Sequence, residues 1–186
     1  MKKIFAAVLL SLLSLTASAE RADSLKQAVV EYDTLDVDEV SGTRILTGNV
    51  ILTRGTLVLK ADRALLKETP EGYMSVTLTA NAGKLTNFRQ KRDGGPDLWI
   101  EGQAERIEYD ERSELVRLYS NALVKELEGS RMTNQITGPF ISYDNRREVA
   151  AVRNDASGQS KVGGGRGTLI LSPKRTATGS PAGSAQ

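Results

Sequence analysis

A short motif occurs three times in this chain, each time where apolar and polar residues alternate. The three copies occupy residues 60–66, 103–110 and 137–144. Aligning Ala61, Ala104 and Gly138 places the copies 43 and 34 residues apart. A unit that returns at intervals of roughly 20–50 residues is typical of stacked β-structure that shares one long core. The interior of such a stack is either a solid core or a long apolar slot, and the function depends on which it is.

The alternation has a period of two through most of the chain. Val76, Leu78 and Ala80, for example, alternate with Thr77 and Thr79. This period indicates strands with one buried, apolar face and one solvent-exposed, polar face. Glycine-containing turns separate these stretches, and no window has the period of a convincing amphipathic helix. The pattern predicts an all-β sandwich, jelly roll or β-solenoid.

The ends of the chain differ from its middle. Residues 1–19 combine two lysines, an apolar stretch and the small residues Ala17-Ser18-Ala19, so we predict a cleaved secretory signal peptide and an exported product. Residues 20–156 are expected to form one β-domain. Residues 157–186 are rich in glycine and carry basic residues without acids, which predicts a tail with one possible strand at 168–172.

Charge and residue usage exclude several classes of function. Without Lys2 and Lys3 the 25 basic residues fall to 23, which equals the 23 acidic residues. A neutral chain without a basic stripe argues against nucleic acid as a partner. The chain contains no His and no Cys, and these supply the commonest general base, metal ligand and thiol nucleophile. We therefore predict no cofactor, no metal and no catalytic residue.

Three local patterns allow chemistry but have simpler interpretations. The carboxylates of residues 36–39 suit Ca²⁺, but acids on a strand and its turn explain them better. The glycines of residues 163–168 lack the Gly-Lys-Ser/Thr ending of a phosphate loop and fit a linker. The repeated Tyr-Asp pairs at 109–110 and 143–144 fit strand building. A β-solenoid enzyme acting on polysaccharide needs two carboxylates flanking a groove, and no such pair stands out.

Four blocks of sequence, in order, resemble the OstA-like family of periplasmic lipopolysaccharide-transport bridge proteins. They are Thr47-Gly48-Asn49-Val50-Ile51-Leu52-Thr53-Arg54-Gly55-Thr56-Leu57 with Lys60-Ala61-Asp62-Arg63, then residues 83–90, 101–110, and 121–138. The resemblance covers roughly residues 27–152. The chain departs from it at Leu85, where Pro is usual, and at Ser120, where Gly is usual. Pro139 removes a backbone donor from the third motif copy, which predicts an edge or bulge there.

The resemblance implies a twisted, open β-jelly roll with edges free for end-to-end stacking. It also implies a non-enzymatic carrier in the periplasm, which binds the acyl chains of lipopolysaccharide and passes the lipid from the inner to the outer membrane. The N-terminal edge near residues 27–33 would face an LptC-like inner-membrane anchor. The C-terminal strands near 147–153 and 168–172 would face another copy or an LptD-like outer-membrane receptor. A glycan enzyme and a purely structural envelope scaffold are the alternatives.

The alternation indicates which side chains point inward, and we predict that these side chains line a lipid groove. These candidates are Val30, Val50, Leu52, Leu57, Leu59, Phe88, Ile107, Tyr109, Leu118, Ile141 and Tyr143. Val30, Phe88 and Tyr109 also stand where the resemblance places lipid-facing positions. Packing in a closed core is the alternative for each of them.

Overall fold

The computed structural model describes residue 23 and residues 26–95, 97–144, 146–147 and 149–173. The predicted signal peptide and the end of the predicted tail lie outside these ranges. The described part contains twelve strands in one antiparallel network. They are β1 Ala28–Glu31, β2 Thr34–Asp38, β3 Thr43–Arg54, β4 Leu57–Glu68, β5 Met74–Thr79, β6 Thr86–Lys91, β7 Leu98–Ala104, β8 Arg106–Asp110, β9 Leu115–Glu128, β10 Arg131–Asp144, β11 Val149–Arg153 and β12 Thr168–Leu171.

The four long strands, β3, β4, β9 and β10, each belong to two layers. Their halves nearest residues 43, 68, 115 and 144 pair in the order β2-β3-β4-β5-β8-β9-β10-β11, which we call layer one. Their other halves pair in the order β1-β3-β4-β6-β7-β9-β10-β12, which we call layer two. Each layer therefore has eight strand segments, and the two layers face each other as the two sheets of a jelly roll do. The all-β fold predicted from the alternation is confirmed.

Residues with left-handed backbone allow two of the long strands to bend between the layers. Gly48 and Asn49 have φ of 80° and 46° in β3, and Ser120 and Asn121 have φ of 60° and 51° in β9. Asn49 Nδ2 donates to Asp33 at 3.0 Å, and Asn121 Nδ2 donates to Glu105 at 2.6 Å. Each asparagine thus bonds an acid sixteen residues earlier, and the two bends are built alike.

The threefold sequence motif marks the points where the chain enters layer one. Ala61, Ala104 and Gly138 lie at the bend between the layers, and the residues that follow them run into layer one. The aligned positions 64, 107 and 141 are all buried. The register of β10 against β9 shifts between Gly138 and Phe140, so the bulge predicted at Pro139 is confirmed.

One hydrophobic core joins the two layers. It contains Val50 and Leu59 of layer two together with Leu78, Leu118 and Ile141 of layer one. Within the described residues the chain passes between layers only at the bend. The opposite side, where the turns β3–β4, β6–β7 and β9–β10 face the turns β4–β5, β8–β9 and β10–β11, is called the mouth.

Residues after β11 pack on the outside of the roll before forming β12. The side chain of Asn154 donates to the carbonyl of Lys161 at 2.6 Å and accepts from its backbone N–H at 2.8 Å. A Cβ placed on Gly158 would lie 3.2 Å from the ring of Phe140. The segment predicted as the start of a tail therefore lies against the domain, and β12 pairs with β10 over residues 134–137.

Candidate functional site

A narrow apolar slot lies between the two layers and opens at the mouth. Its apolar walls come from β4, β6 and β7 in layer two and from β5, β8, β9 and β10 in layer one. The lining residues are Leu57, Leu59, Phe88, Gln90, Ile100 and Arg54 on one side, Val76, Leu78, Ile107, Tyr109, Glu114, Val116 and Tyr143 on the other, and Asp23. The slot therefore has an apolar interior and a polar rim.

The two layers nearly close on the slot. Its volume is about 40 Å³, whereas about 730 Å³ of empty space is found when the count extends into the solvent at its mouth. The smaller figure suits a few water molecules at most, since a cavity needs roughly 10–15 Å³ on this measure to hold one water. A long acyl chain therefore enters only if the layers move apart.

Six of the eleven predicted residues line this slot: Leu57, Leu59, Phe88, Ile107, Tyr109 and Tyr143. The structure places Val50, Leu52, Leu118 and Ile141 inward but in the packed core beyond the slot, and Val30 packs against that core from β1. Four further apolar residues line the slot but are not among those predicted from the sequence: Val76, Leu78, Ile100 and Val116. The first two belong to the alternation of β5, so the signal was present, but alternation does not rank inward residues by depth.

The polar rim was also missed, because it comes from strand ends and turns. Arg54, the last residue of β3, donates through Nη1 to Glu111 of the β8–β9 turn at 3.0 Å. Glu111 also accepts from the N–H of Met74 at 2.9 Å. This ion pair joins layer two to layer one across the mouth, with side chains 22% and 29% exposed.

Asp23 and Lys26 contact the layer-two side of the mouth. The carboxylate of Asp23, which is 3% exposed, accepts from the N–H of Thr56 at 2.9 Å and from its hydroxyl at 2.5 Å. A Cβ on Gly55 would lie 1.9 Å from Asp23 Oδ1, so the close approach requires glycine at that position. Arg54 Nε donates to the carbonyl of Lys26 at 3.0 Å.

The pKa shifts of Tyr109, Asp110 and Asp144, which belong to the repeated Tyr-Asp pairs, do not suit acid catalysis. Burial raises the pKa of Tyr109 above its usual value, so its hydroxyl stays neutral at the slot. Hydrogen bonds from Ser113 hold the pKa of Asp110 below its usual value, and a backbone N–H bond from Arg147 does the same for Asp144. A glycosidase needs an acid whose pKa is raised, whereas these two carboxylates cap turns.

The remaining local patterns are also structural in their geometry. Asp38 accepts from the backbone of Val40 and Ser41 and from the Ser41 hydroxyl, which forms the turn before β3. Gly165 donates from its backbone to the carbonyl of Asn154 at 2.7 Å. Across the described ranges, no three acids converge as a metal site would require. A helix long and apolar enough to cross a membrane was not found there either.

Comparison with known proteins places the chain among lipopolysaccharide transport components. The chain is 25% identical over 173 residues to the lipopolysaccharide export system protein LptA of Haemophilus influenzae, covering 93% of this chain and 92% of that protein. It is 28% identical over 124 residues to the Escherichia coli K12 protein of the same name, covering 67% of this chain and 65% of that protein.

Structural comparison agrees with the sequence matches. The fold is similar to the crystal structure of LptH, the LptA-homologous periplasmic component of the lipopolysaccharide transport device of Pseudomonas aeruginosa. The TM-score is 0.68 at 24% identity, with 81% of this chain and 99% of that chain covered. Residues 29–149, most of the described fold, match the family described as LptA/(LptD N-terminal domain) LPS transport protein. The chain therefore belongs to this family.

Proposed function

We propose that this protein is a non-enzymatic carrier that holds the acyl chains of lipopolysaccharide in the slot and passes the lipid across the periplasm, from the inner to the outer membrane. The observation that carries the proposal is the apolar slot between two layers that are joined by the chain at the bend and by side chains at the mouth. Lipid enters and leaves such a slot sideways without threading.

Solvation energetics explain the need for a carrier. Each CH₂ group buried from water is worth about 0.8 kcal/mol. A chain of about a dozen carbons therefore costs on the order of 10 kcal/mol to expose to water. The slot offers apolar walls, while the polar head remains at the mouth. Few hydrogen-bonding groups interrupt the walls, so lipid is able to slide along them.

Both ends of the roll support assembly into a bridge. Val29, Leu35 and Val37 of β1 and β2 are exposed at one end, as are Leu169 and Leu171 of β12 at the other. Exposed apolar edge strands are normally avoided because they recruit other strands. Here we propose that they pair with an LptC-like inner-membrane anchor at the β1–β2 edge. At the β11–β12 edge they would pair with an LptD-like outer-membrane receptor or another copy of this chain.

Strand directions suit head-to-tail stacking in both layers. In layer two, β1 runs from the mouth to the bend and β12 runs from the bend to the mouth. In layer one, β2 runs from the bend to the mouth and β11 runs the other way. When the end of one copy meets the start of the next, both layers therefore continue as antiparallel sheet, and β-augmentation supplies main-chain hydrogen bonds.

Lipid binding by a matched pair of variants tests the carrier function. Leu57 lines the slot near its mouth, and its neighbour Val58 faces outward on the same strand. Leu57→Asn is expected to weaken binding of purified lipopolysaccharide about tenfold or more, while Val58→Asn leaves it unchanged; tenfold corresponds to about 1.4 kcal/mol. Equal binding by both variants, each folded by circular dichroism, would contradict the proposed function. A purely structural scaffold would bind no lipid at all.

A further inference from the structure

Arg54 occupies a special position on the slot. Of the described residues that line it, Arg54 is the one cation, beside the carboxylates of Asp23 and Glu114. Its guanidinium holds three segments together: it belongs to β3 of layer two, bonds Glu111 of layer one at 3.0 Å, and donates to the Lys26 carbonyl at 3.0 Å. Among the described lining residues there is thus one positive group at the rim, and it is paired with a carboxylate of the opposite layer.

The ion pair has to break, or stretch, when the slot fills. The interior volume of about 40 Å³ leaves no room for an acyl chain until the layers separate. The bend joins the layers covalently, so separation takes place at the mouth, which the Arg54–Glu111 pair spans. Breaking a partly buried ion pair costs free energy unless each charge finds a new partner.

An anionic amphiphile supplies a new partner for Arg54, while Glu111 keeps the hydrogen bond from the N–H of Met74. With its chains between the layers, its headgroup lies at the rim, where the nearby carboxylates repel a negative charge and Arg54 attracts it. Arginine binds phosphate through two parallel, charge-assisted hydrogen bonds. We propose that Arg54 is a headgroup-recognition residue, and that Glu111 is a placeholder which the headgroup phosphate of the entering lipid displaces, releasing the two layers.

Displacement of Glu111 from Arg54 would also affect the contacts of Arg54 with the N-terminal edge strand β1. Arg54 pairs with Ala28 of β1 in the sheet register, and its Nε bonds the residue that precedes this strand by two positions. Moving the guanidinium toward a headgroup therefore changes a contact beside the edge proposed to face the upstream partner. This inference rests on the proposed function, because it identifies Arg54 as the residue that recognises the lipid headgroup at the same slot.

The test compares two lipids and three variants. The probes are diphosphoryl lipid A and the same lipid after enzymatic dephosphorylation, in one detergent. The chain has no cysteine, so Val162→Cys, at a fully exposed position, carries a fluorophore for measuring Kd. Arg54→Gln is expected to lose the preference for the phosphorylated lipid, about tenfold. Glu111→Gln is expected to bind both lipids more tightly and keep the preference.

Controls separate this inference from the carrier function. Arg44→Gln breaks an ion pair with Glu68 that lies within layer one, and is expected to leave both affinities unchanged. A preference that survives in folded Arg54→Gln would overturn the inference while leaving the carrier function intact. If Arg54→Gln fails to fold, the Glu111→Gln variant provides the test. Unchanged binding of both lipids by Glu111→Gln would overturn the placeholder role of Glu111. Absence of binding of either lipid by the wild-type chain would overturn both proposals.

Discussion

The ring of Phe88 lies directly against the backbone of Gly102, its partner across strands β6 and β7. A Cβ built on Gly102 would lie 2.2 Å from Cε1 of Phe88 and 2.8 Å from its Cζ. Gly102 has an ordinary strand backbone, so its role is to give the ring room. Phe88 is 5% exposed and lines the slot, and the glycine therefore sets how far this ring reaches toward the opposite layer.

Gly102→Ala is expected to push the Phe88 ring toward layer one. Overpacking of this kind costs typically about 1–3 kcal/mol in the free energy of unfolding, and lipid binding should fall because the slot is narrower. Phe88→Leu in the Gly102→Ala background should recover much of the loss. Chemical denaturation of the two single variants and the double variant measures this coupling. Strictly additive effects would mean that the two residues do not share the space.

Ser120→Gly is expected to stabilise the protein. Ser120 has φ of 60° at the β9 bend, where the equivalent position of the β3 bend is Gly48 with φ of 80°. Left-handed backbone costs an L-residue about 1–2 kcal/mol, and glycine avoids that cost. We expect a gain of about 1 kcal/mol in the free energy of unfolding. Ser142→Gly, in the regular part of β10, serves as control and should destabilise; loss of stability in both variants would contradict the account of the bend.

The fold was largely predictable from the sequence because its strands are amphipathic. The alternation in Val76–Leu78 and Ile107–Tyr109 indicates strands wherever those strands pair. Their assignment to two layers was not predictable from the residues alone, since the bends at Asn49 and Asn121 are local but the pairing of each half is long-range. The family resemblance supplied the jelly roll.

The site was predictable only in part, for a physical reason. Inward residues such as Leu118 and Tyr109 follow the same period, yet one is fully buried in the core and the other lines the slot. Depth depends on how the layers diverge, and one strand does not encode this. The Arg54–Glu111 pair joins residues 57 positions apart, through a turn whose approach to β3 depends on the whole roll.

Stability is expected to be flat between about pH 5 and 8 and to fall in acid. The chain has no His, the residue whose charge ordinarily changes in that range. Hydrogen bonds from the Ser157 side chain and backbone, and the Lys161 ammonium, lower the pKa of Asp155 to about 2. An unfolded Asp has a pKa of about 3.9, so its stabilising effect is present above that pH and is lost as pH falls through about 2.

Thermal unfolding across pH 2–8 tests this expectation. Asp155→Asn should show a smaller decline in melting temperature between about pH 4 and 2, because it lacks the titrating carboxyl. A wild-type transition near pH 6–7 would contradict the expectation, since the chain has no His and the pKa values of Asp38, Asp62, Asp110, Asp144 and Asp155 are lowered from the usual value of an Asp.

Ile170→Glu is expected to weaken end-to-end association. Ile170 is 42% exposed on β12, at the edge proposed to receive β1 of another copy. A buried, unpaired charge at such a junction is unfavourable, so sedimentation at high protein concentration should show a smaller assembly. Val162→Glu, on the exposed loop before β12, should leave the distribution unchanged. Equal effects from both variants would point to net charge as the cause.

Photo-crosslinking in cells that make lipopolysaccharide tests the central claim most directly. A photoreactive residue is placed at Phe88 or Tyr109, both of which line the slot, and at their outward neighbours Asn87 and Glu108. The carrier account predicts lipopolysaccharide adducts from the two slot positions and none from the two neighbours. No adduct at the slot positions of the folded, exported protein, or equal adducts at all four positions, would contradict it.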